Sequence, residues 1–338
     1  MPLTTTPVRA RSATAAVLTV VQTEAALALL SGRIGLDLAS FVLAALLPVL
    51  LSRLPRHRSP REWLSDTAVV AATAMVAVEL PSLLQAHAGL GSAALIACAV
   101  GSKALRGHGR PLAIAAVGAG LAVRLALIAL VAPGDMGPAP RALTALLIVL
   151  GATLGLAGWR RVLLPRLAAP SGAARPATRA AGHHGGSLQM LLAFSLACAL
   201  GRWWVGAHWN WAALSAFLVL SGTLTRADVL KKGLHRLVGA AVGTVAATVL
   251  VGWFGHGSRA TLPALIVAVV VAIALRRVAY AGWVGGITAA LSLLYSYMGQ
   301  NAVELLDTRL WALSLGALLA IATAMVVPVR PPAAPPPR

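Results

Sequence analysis

The chain has 338 residues, 59% hydrophobic and only 11% charged, with a formal net charge of +19 and mean hydropathy +0.83. Long, almost uncharged apolar runs exclude an ordinary soluble domain and point to transmembrane helices. The positive charge does not indicate a nucleic-acid partner, because Lys and Arg fall in short loops between apolar runs and form no basic soluble face.

In chain order, Arg9 and Arg11 precede an apolar run that resembles a signal peptide. Its length matches the ~20 residues of a spanning helix and further spans follow, so it reads as a first transmembrane helix over 13–31. A second span over 38–52 contains Pro48, which membrane helices tolerate. The basic loop RLPRHRSPR follows, then spans over 65–84, 89–105, 111–132 and 141–164. Residues 165–187 are rich in Pro, Gly, Ala and Arg and read as a flexible cytoplasmic linker. His183 and His184 lie there without further metal ligands nearby. Six more spans are expected over 188–205, 209–225, 233–254, 260–275, 279–298 and 308–328, before a disordered Pro-rich tail over 329–338. Cys98 and Cys198 both fall inside spans and read as small packed side chains.

The expected fold class is thus all-α: a polytopic membrane protein of about twelve helices in two six-helix halves, 1–164 and 188–328. An even number of spans per half implies a parallel pseudo-repeat. LASFVLAALLPVLLSR (38–53) lies over WAALSAFLVLSGTLTR (211–226), and RALTALLIVLGATLG (141–155) over RLWALSLGALLAIA (309–322). With the N-terminus in the cytoplasm, only Arg33, Arg141, Arg202, Arg259 and Arg309 fall in outward loops and Arg124 in mid-span. Every other Lys and Arg lies on the cytoplasmic side, as the positive-inside rule requires, with both termini cytoplasmic. Trp203, Trp204, Trp209 and Trp211 cluster at one outward turn and, with Trp63 and Trp159 at cytoplasmic ends, fit interfacial belts.

In RADVLKKGLHRLVGAAVGTVAATVL (226–250), Arg236, Gly239 and Gly243 stand at i, i+3 and i+7 and share one helical face. Gly239 and Gly243 form a small-xxx-small pair that allows close helix approach. The cationic foot is expected at the cytoplasmic headgroups.

The second half resembles the fusaric-acid-resistance-like (FUSC) family, related to aromatic acid exporters and to plant aluminium-activated malate transporters. The resemblance rests on HWNWAALSAFLVLSG (208–222), on KKGLHRLVGAAVGTVAA with Gly233, Arg236, Gly239 and Gly243, and on DTRLWALSLGALLAIATAMVVP with Arg309, Gly316 and Pro328. It spans 188–328. It implies export of small organic or aromatic carboxylic acids across a bacterial inner (plasma) membrane. The partners it implies are the lipid bilayer, the organic anion, further copies of the chain and, for some members, a periplasmic adaptor. Many relatives carry a large cytoplasmic domain, where this chain has only the short linker and tail.

Three charges fall within spans. Counted at 1.5 Å per residue, Glu24 lies about 17 Å deep and Glu79 and Arg124 about 20 Å. They are expected to face the bundle interior, with Arg124 paired to one carboxylate. Two roles stand open: a structural ion pair, or an anion-attracting Arg124 beside a carboxylate that takes up and releases a proton. In the second half, Tyr295, Tyr297, Gln300, Asn301 and Arg309 are candidate substrate contacts, since an aromatic acid can stack on Tyr rings and bond their hydroxyls. Arg236 and Arg309 fall at opposite mouths. Arg236, Gly239, Gly243 and Gly316 are helix-packing residues. There is no HExxH, acidic pair at metal spacing, nucleophile–base set or phosphate loop, so no enzyme activity, ATP use, metal or cofactor is expected. The leading function is a proton-coupled exporter of organic acids. The alternatives are a passive organic-anion channel and a scaffold subunit of an adaptor-dependent efflux assembly.

Overall fold

The computed structural model describes residues 5–31, 38–52, 59–130, 137–163, 183–223, 225–255, 258, 260–275, 279–297 and 304–329. The described residues form α-helices with short 3-10 turns, and no strand occurs among them. The first compact unit, Met1–His183, contains α1 (Thr5–Ser31), α2 (Leu38–Leu51), α3 (Pro60–Ala86), α4 (Ala88–Ala104), α5 (Gly109–Ala129) and α6 (Pro138–Leu163). The second, His184–Arg338, is built from α7 (His183–Trp204), α8 (Trp209–Leu220), α9 (Arg226–Phe254), α10 (Thr261–Leu275), α11 (Tyr280–Tyr297) and α12 (Glu304–Val326).

Five of these helices are long and apolar enough to cross a bilayer: Pro60–Ala86, Pro111–Ala129, Pro138–Leu163, Arg226–Phe254 and Thr308–Val326. The chain is a multi-pass membrane protein. The helices nonetheless differ from twelve uniform spans. α8 has 12 residues, about 18 Å at 1.5 Å per residue, well short of a ~30 Å hydrocarbon core. It stops where Ser221 turns extended and Gly222 takes φ 79°, so the span expected over 209–225 ends five residues early. α7 conversely starts at His183, so the last five residues of the expected linker are helical.

Helix ends follow local chemistry. Ser59 caps α3 by accepting from the Glu62 N–H, and Pro60 follows at the first helical position. Thr225 and Asp228 close a reciprocal capping box on α9, each side chain accepting the other's backbone N–H (3.1 and 3.2 Å).

Several helix neighbours recur between the two units. In the first, α3 lies on α5 and α6, α4 on α5, α2 on α6, and α1 on α2 and α6. In the second, α9 lies on α11 and α12, α10 on α11, and α8 on α12. There α7 meets α8 through an edge-on Phe194–Phe217 pair and α12 through Gln189, which donates to Val327 O at 2.7 Å. Shifting helix numbers by six carries these pairs onto one another, while the α2–α5 contact of the first unit has no comparable α8–α11 contact among the described residues.

The closest approaches are made by glycine. A Cβ on Gly239 would lie 2.3 Å from Ala281 O, and one on Gly243 2.1 Å from Gly285 O. α9 and α11 thus run parallel with backbones nearly touching. In the same way α12 presses Gly316 onto Ala212 O of α8, where a Cβ would sit at 2.0 Å. Almost every residue of α8 is buried, so this short helix is the centre of the second unit.

Candidate functional site

The polar groups inside each unit lie where helices of different packing partners meet. In the first unit the expected charges do not share one depth. α1 and α6 run antiparallel, with Gly155 against Thr19 and Gly151 against Thr23. Glu24, next to Thr23, therefore lies about ten residues along α6 from Arg141, or about 15 Å. Glu79 is at the Arg141 end. Its Oε2 is 3.4 Å from Arg141 Nη1, and the same nitrogen donates to Ser82 Oγ. Gly118 of α5 faces Thr73 of α3. Two helix reversals make α3 and α5 parallel, so six residues on, about 9 Å, Arg124 stands level with Glu79.

Arg124 donates to Gly120 O of its own helix at 2.5 Å. Glu79 pairs with Arg141, a residue read from the sequence as an outward-loop charge. α6 begins at Pro138, which puts Arg141 in its first turn and buries it to 9% exposure. Arg141 is the buried partner of this contact and Glu79 the partly exposed one, and Ser82 gives the buried guanidinium a further acceptor. Glu79 Oε1 is buried with no hydrogen-bond partner.

The second unit holds two buried arginines. Arg236 lies ten residues into α9, about 15 Å from its start, and is only 8% exposed. It is therefore not part of the cationic foot: the foot is Lys231 and Lys232, and Arg236 sits deep in the bundle. Arg236 Nε donates to Ser215 Oγ at 3.1 Å, and the Ser215 hydroxyl donates on to Leu313 O at 2.7 Å. The Tyr280 side chain also hydrogen-bonds Arg236. Arg309, 3% exposed, donates from Nη1 to Ser292 Oγ at 2.8 Å and lies 4.5 Å from the centroid of the Trp211 ring. That is a cation–π geometry. Trp211 and Ser215 are one turn apart on α8, so Arg236 and Arg309 converge on successive turns of one central helix. Opposite mouths, the expectation from loop counting, do not describe them.

Around the foot of α9, Lys232 donates to Ser221 O and places its ammonium 5.8 Å from the Tyr280 ring centroid, while the His235 ring lies 6.5 Å from it. The Trp group expected at one outward turn divides. Trp203 and Trp204 are exposed and stacked at 5.8 Å, Trp209 carries Arg202 3.9 Å above its ring, and Trp211 is buried under Arg309.

The side chains of Tyr295 and Tyr297, and the whole of Gln300 and Asn301, lie outside the described residues. Ser215, Ser292, Trp211, Tyr280 and Arg141 were not singled out as site residues from the sequence. Ser215 and Trp211 carry a readable signal, because they sit at i and i+4 on a helix whose one other polar side chain, apart from the Trp rings, is Asn210. Among the described residues no group of His, Cys, Asp and Glu is placed to hold a metal ion.

Residues 196–323 match the family model described as fusaric acid resistance protein-like. Comparison with curated proteins and with solved structures returns no match. The matched segment contains Arg236, Ser215, Trp211, Tyr280, Ser292 and Arg309, and the glycines that bring their helices together. Over residues 196–323 the second half of this chain is similar to the fusaric acid resistance protein-like family.

Proposed function

We propose that the protein exports small organic or aromatic carboxylic acids across a bacterial inner membrane, coupled to protons, with both termini in the cytoplasm. The observation that carries this reading is Arg236, a guanidinium buried deep in the family-matched unit whose described acceptors are hydroxyls. An apolar bundle holds a charge at that depth at a cost of about 2.5–3.5 kcal/mol on insertion scales, and such charges in membrane proteins mark ion and substrate paths. Arg309 one turn away along α8 extends the cationic lining, and Trp211 and Tyr280 give it aromatic faces. The partially exposed Glu79 and the half-buried Glu24 are the proton-carrying candidates, with Arg124 and Arg141 setting the field at the Glu79 level.

The family description supports transport and not catalysis. A passive anion channel would use the same cationic lining without the carboxylates. Everted membrane vesicles separate the two. An exporter accumulates labelled benzoate inside them when respiration is energised and loses it when an uncoupler is added. Uptake that only equilibrates, with or without uncoupler, contradicts coupled export. A periplasmic adaptor and self-association belong to this reading, and co-purification from cross-linked membranes tests both.

A further inference from the structure

We propose that Arg236 is the residue that binds the substrate carboxylate, and that the anion reaches it by displacing Ser215 across the seam between α8 and α9. The proposal rests on the transport reading above and names where that transport loads its substrate.

Three arginines cross a helix seam to a serine hydroxyl. Arg141 of α6 reaches Ser82 of α3, Arg236 of α9 reaches Ser215 of α8, and Arg309 of α12 reaches Ser292 of α11. At Arg141 a carboxylate, Glu79, shares the guanidinium. At Arg236 the acceptors are the hydroxyls of Ser215 and Tyr280, and no Asp or Glu among the described residues touches it. A hydroxyl offers a dipole and not an opposite charge, so the buried guanidinium is solvated only in part. A planar carboxylate matches its forked N–H donors far better.

Ser215 suits a displaceable partner. Its own proton goes to Leu313 O, so it faces Arg236 only as an acceptor and keeps the bond it donates when a stronger acceptor takes its place. The Tyr280 hydroxyl can donate to the same carboxylate, and its ring gives an aromatic acid a surface to lie against. Gly239 and Gly243 hold the start of α11, and with it Tyr280, against α9.

The approach runs along α9. Lys232 is one turn before Arg236 on the same face, beside the Tyr280 ring, and His235 faces that ring too. An anion arriving at the Lys231–Lys232 end meets Lys232 first and Arg236 next, about 6 Å further along the axis. The ligand this fits is a small monocarboxylate carrying an aromatic ring.

The test is equilibrium binding of radiolabelled benzoate to the purified full chain in lipid nanodiscs, with thermal melting to establish folding of each variant. Arg236→Gln should weaken binding at least tenfold. Ser215→Ala, which removes the competing acceptor, should tighten it about threefold, and Tyr280→Phe should weaken it by a similar factor. Should Arg236→Gln fail to fold, the opposite signs of the Ser215 and Tyr280 variants still decide. Binding within twofold of wild type in Arg236→Gln, or weaker binding in Ser215→Ala, overturns the site and leaves transport standing. If wild type binds neither benzoate nor any other aromatic or aliphatic carboxylate, the transport reading falls with it.

Discussion

Gly243→Ala adds one methyl group where α9 meets α11. The new carbon would lie 2.1 Å from Gly285 O and 2.8 Å from Gly285 C and Cα. All three are backbone atoms, so no side chain can swing aside. The helices must part by about 1 Å, and a gap of that size forfeits a quarter to a half of the dispersion energy of the contacts it opens. Overpacking of this kind costs about 1–3 kcal/mol, and the absence of any flexible neighbour places Gly243 at the upper end. Gly252 lies on the same helix with nothing within 4 Å of a Cβ. There alanine meets no obstacle and restores helix propensity, a gain of up to about 1 kcal/mol. The pair should therefore differ by about 3–4 kcal/mol. Thermal unfolding of both variants in one detergent, followed by circular dichroism, should put Gly243→Ala well below wild type and Gly252→Ala at or above it. If Gly243→Ala melts within a degree of wild type, the α9–α11 approach is looser than described, and the placement of Tyr280 against Arg236 goes with it.

Other consequences can be measured separately. Thr225→Ala removes half of the α9 capping box and should cost about 1 kcal/mol, read as a lower melting temperature with binding of organic acids unchanged. Arg141→Ala leaves the partly exposed Glu79 without its cationic partner and should destabilise by about 1 kcal/mol, whereas Glu79→Gln keeps an acceptor on Arg141 and should cost less than half as much. An equal loss in the two variants would contradict the pairing. If protons drive export through these carboxylates, Glu79→Gln or Glu24→Gln should abolish acid-gradient-driven efflux, and retention of full coupling in both would end that part of the proposal. In a background without Cys98 and Cys198, a cysteine at exposed His108 should react with an impermeant maleimide only from the cytoplasmic face, and one at exposed His87 only from the outer face. The reverse pattern would invert the topology.

The sequence disclosed the parts of this protein that repeat along one helix. Arg236, Gly239 and Gly243 are in phase at 3.6 residues per turn, and that phase is the buried face observed in α9. The family-like segment read from residue patterns, 188–328, contains the matched 196–323. What periodicity gives is a face, and it says nothing of depth or of the partner across it. Arg236 was assigned to the headgroup foot because it follows Lys231 and Lys232. Ten residues of helix separate it from the start of α9, and that length carries it to Ser215. Arg141 was counted as a loop charge because its neighbours Pro138 and Pro140 resemble a turn. Proline is at home in a helix's first turn, so α6 starts earlier and brings Arg141 to Glu79, 62 residues away in sequence. Depth counting failed for Glu24 because a count along one helix does not say how neighbouring helices are staggered: Thr23 packs against Gly151, ten residues along α6 from Arg141.

Transport by the purified chain alone tests the account most directly. In proteoliposomes with an imposed pH gradient, wild type should move a labelled aromatic carboxylate against its concentration gradient, and Arg236→Gln should not. Flux that is absent in wild type, or equal in the two proteins, would contradict a transporter whose substrate path runs past Arg236.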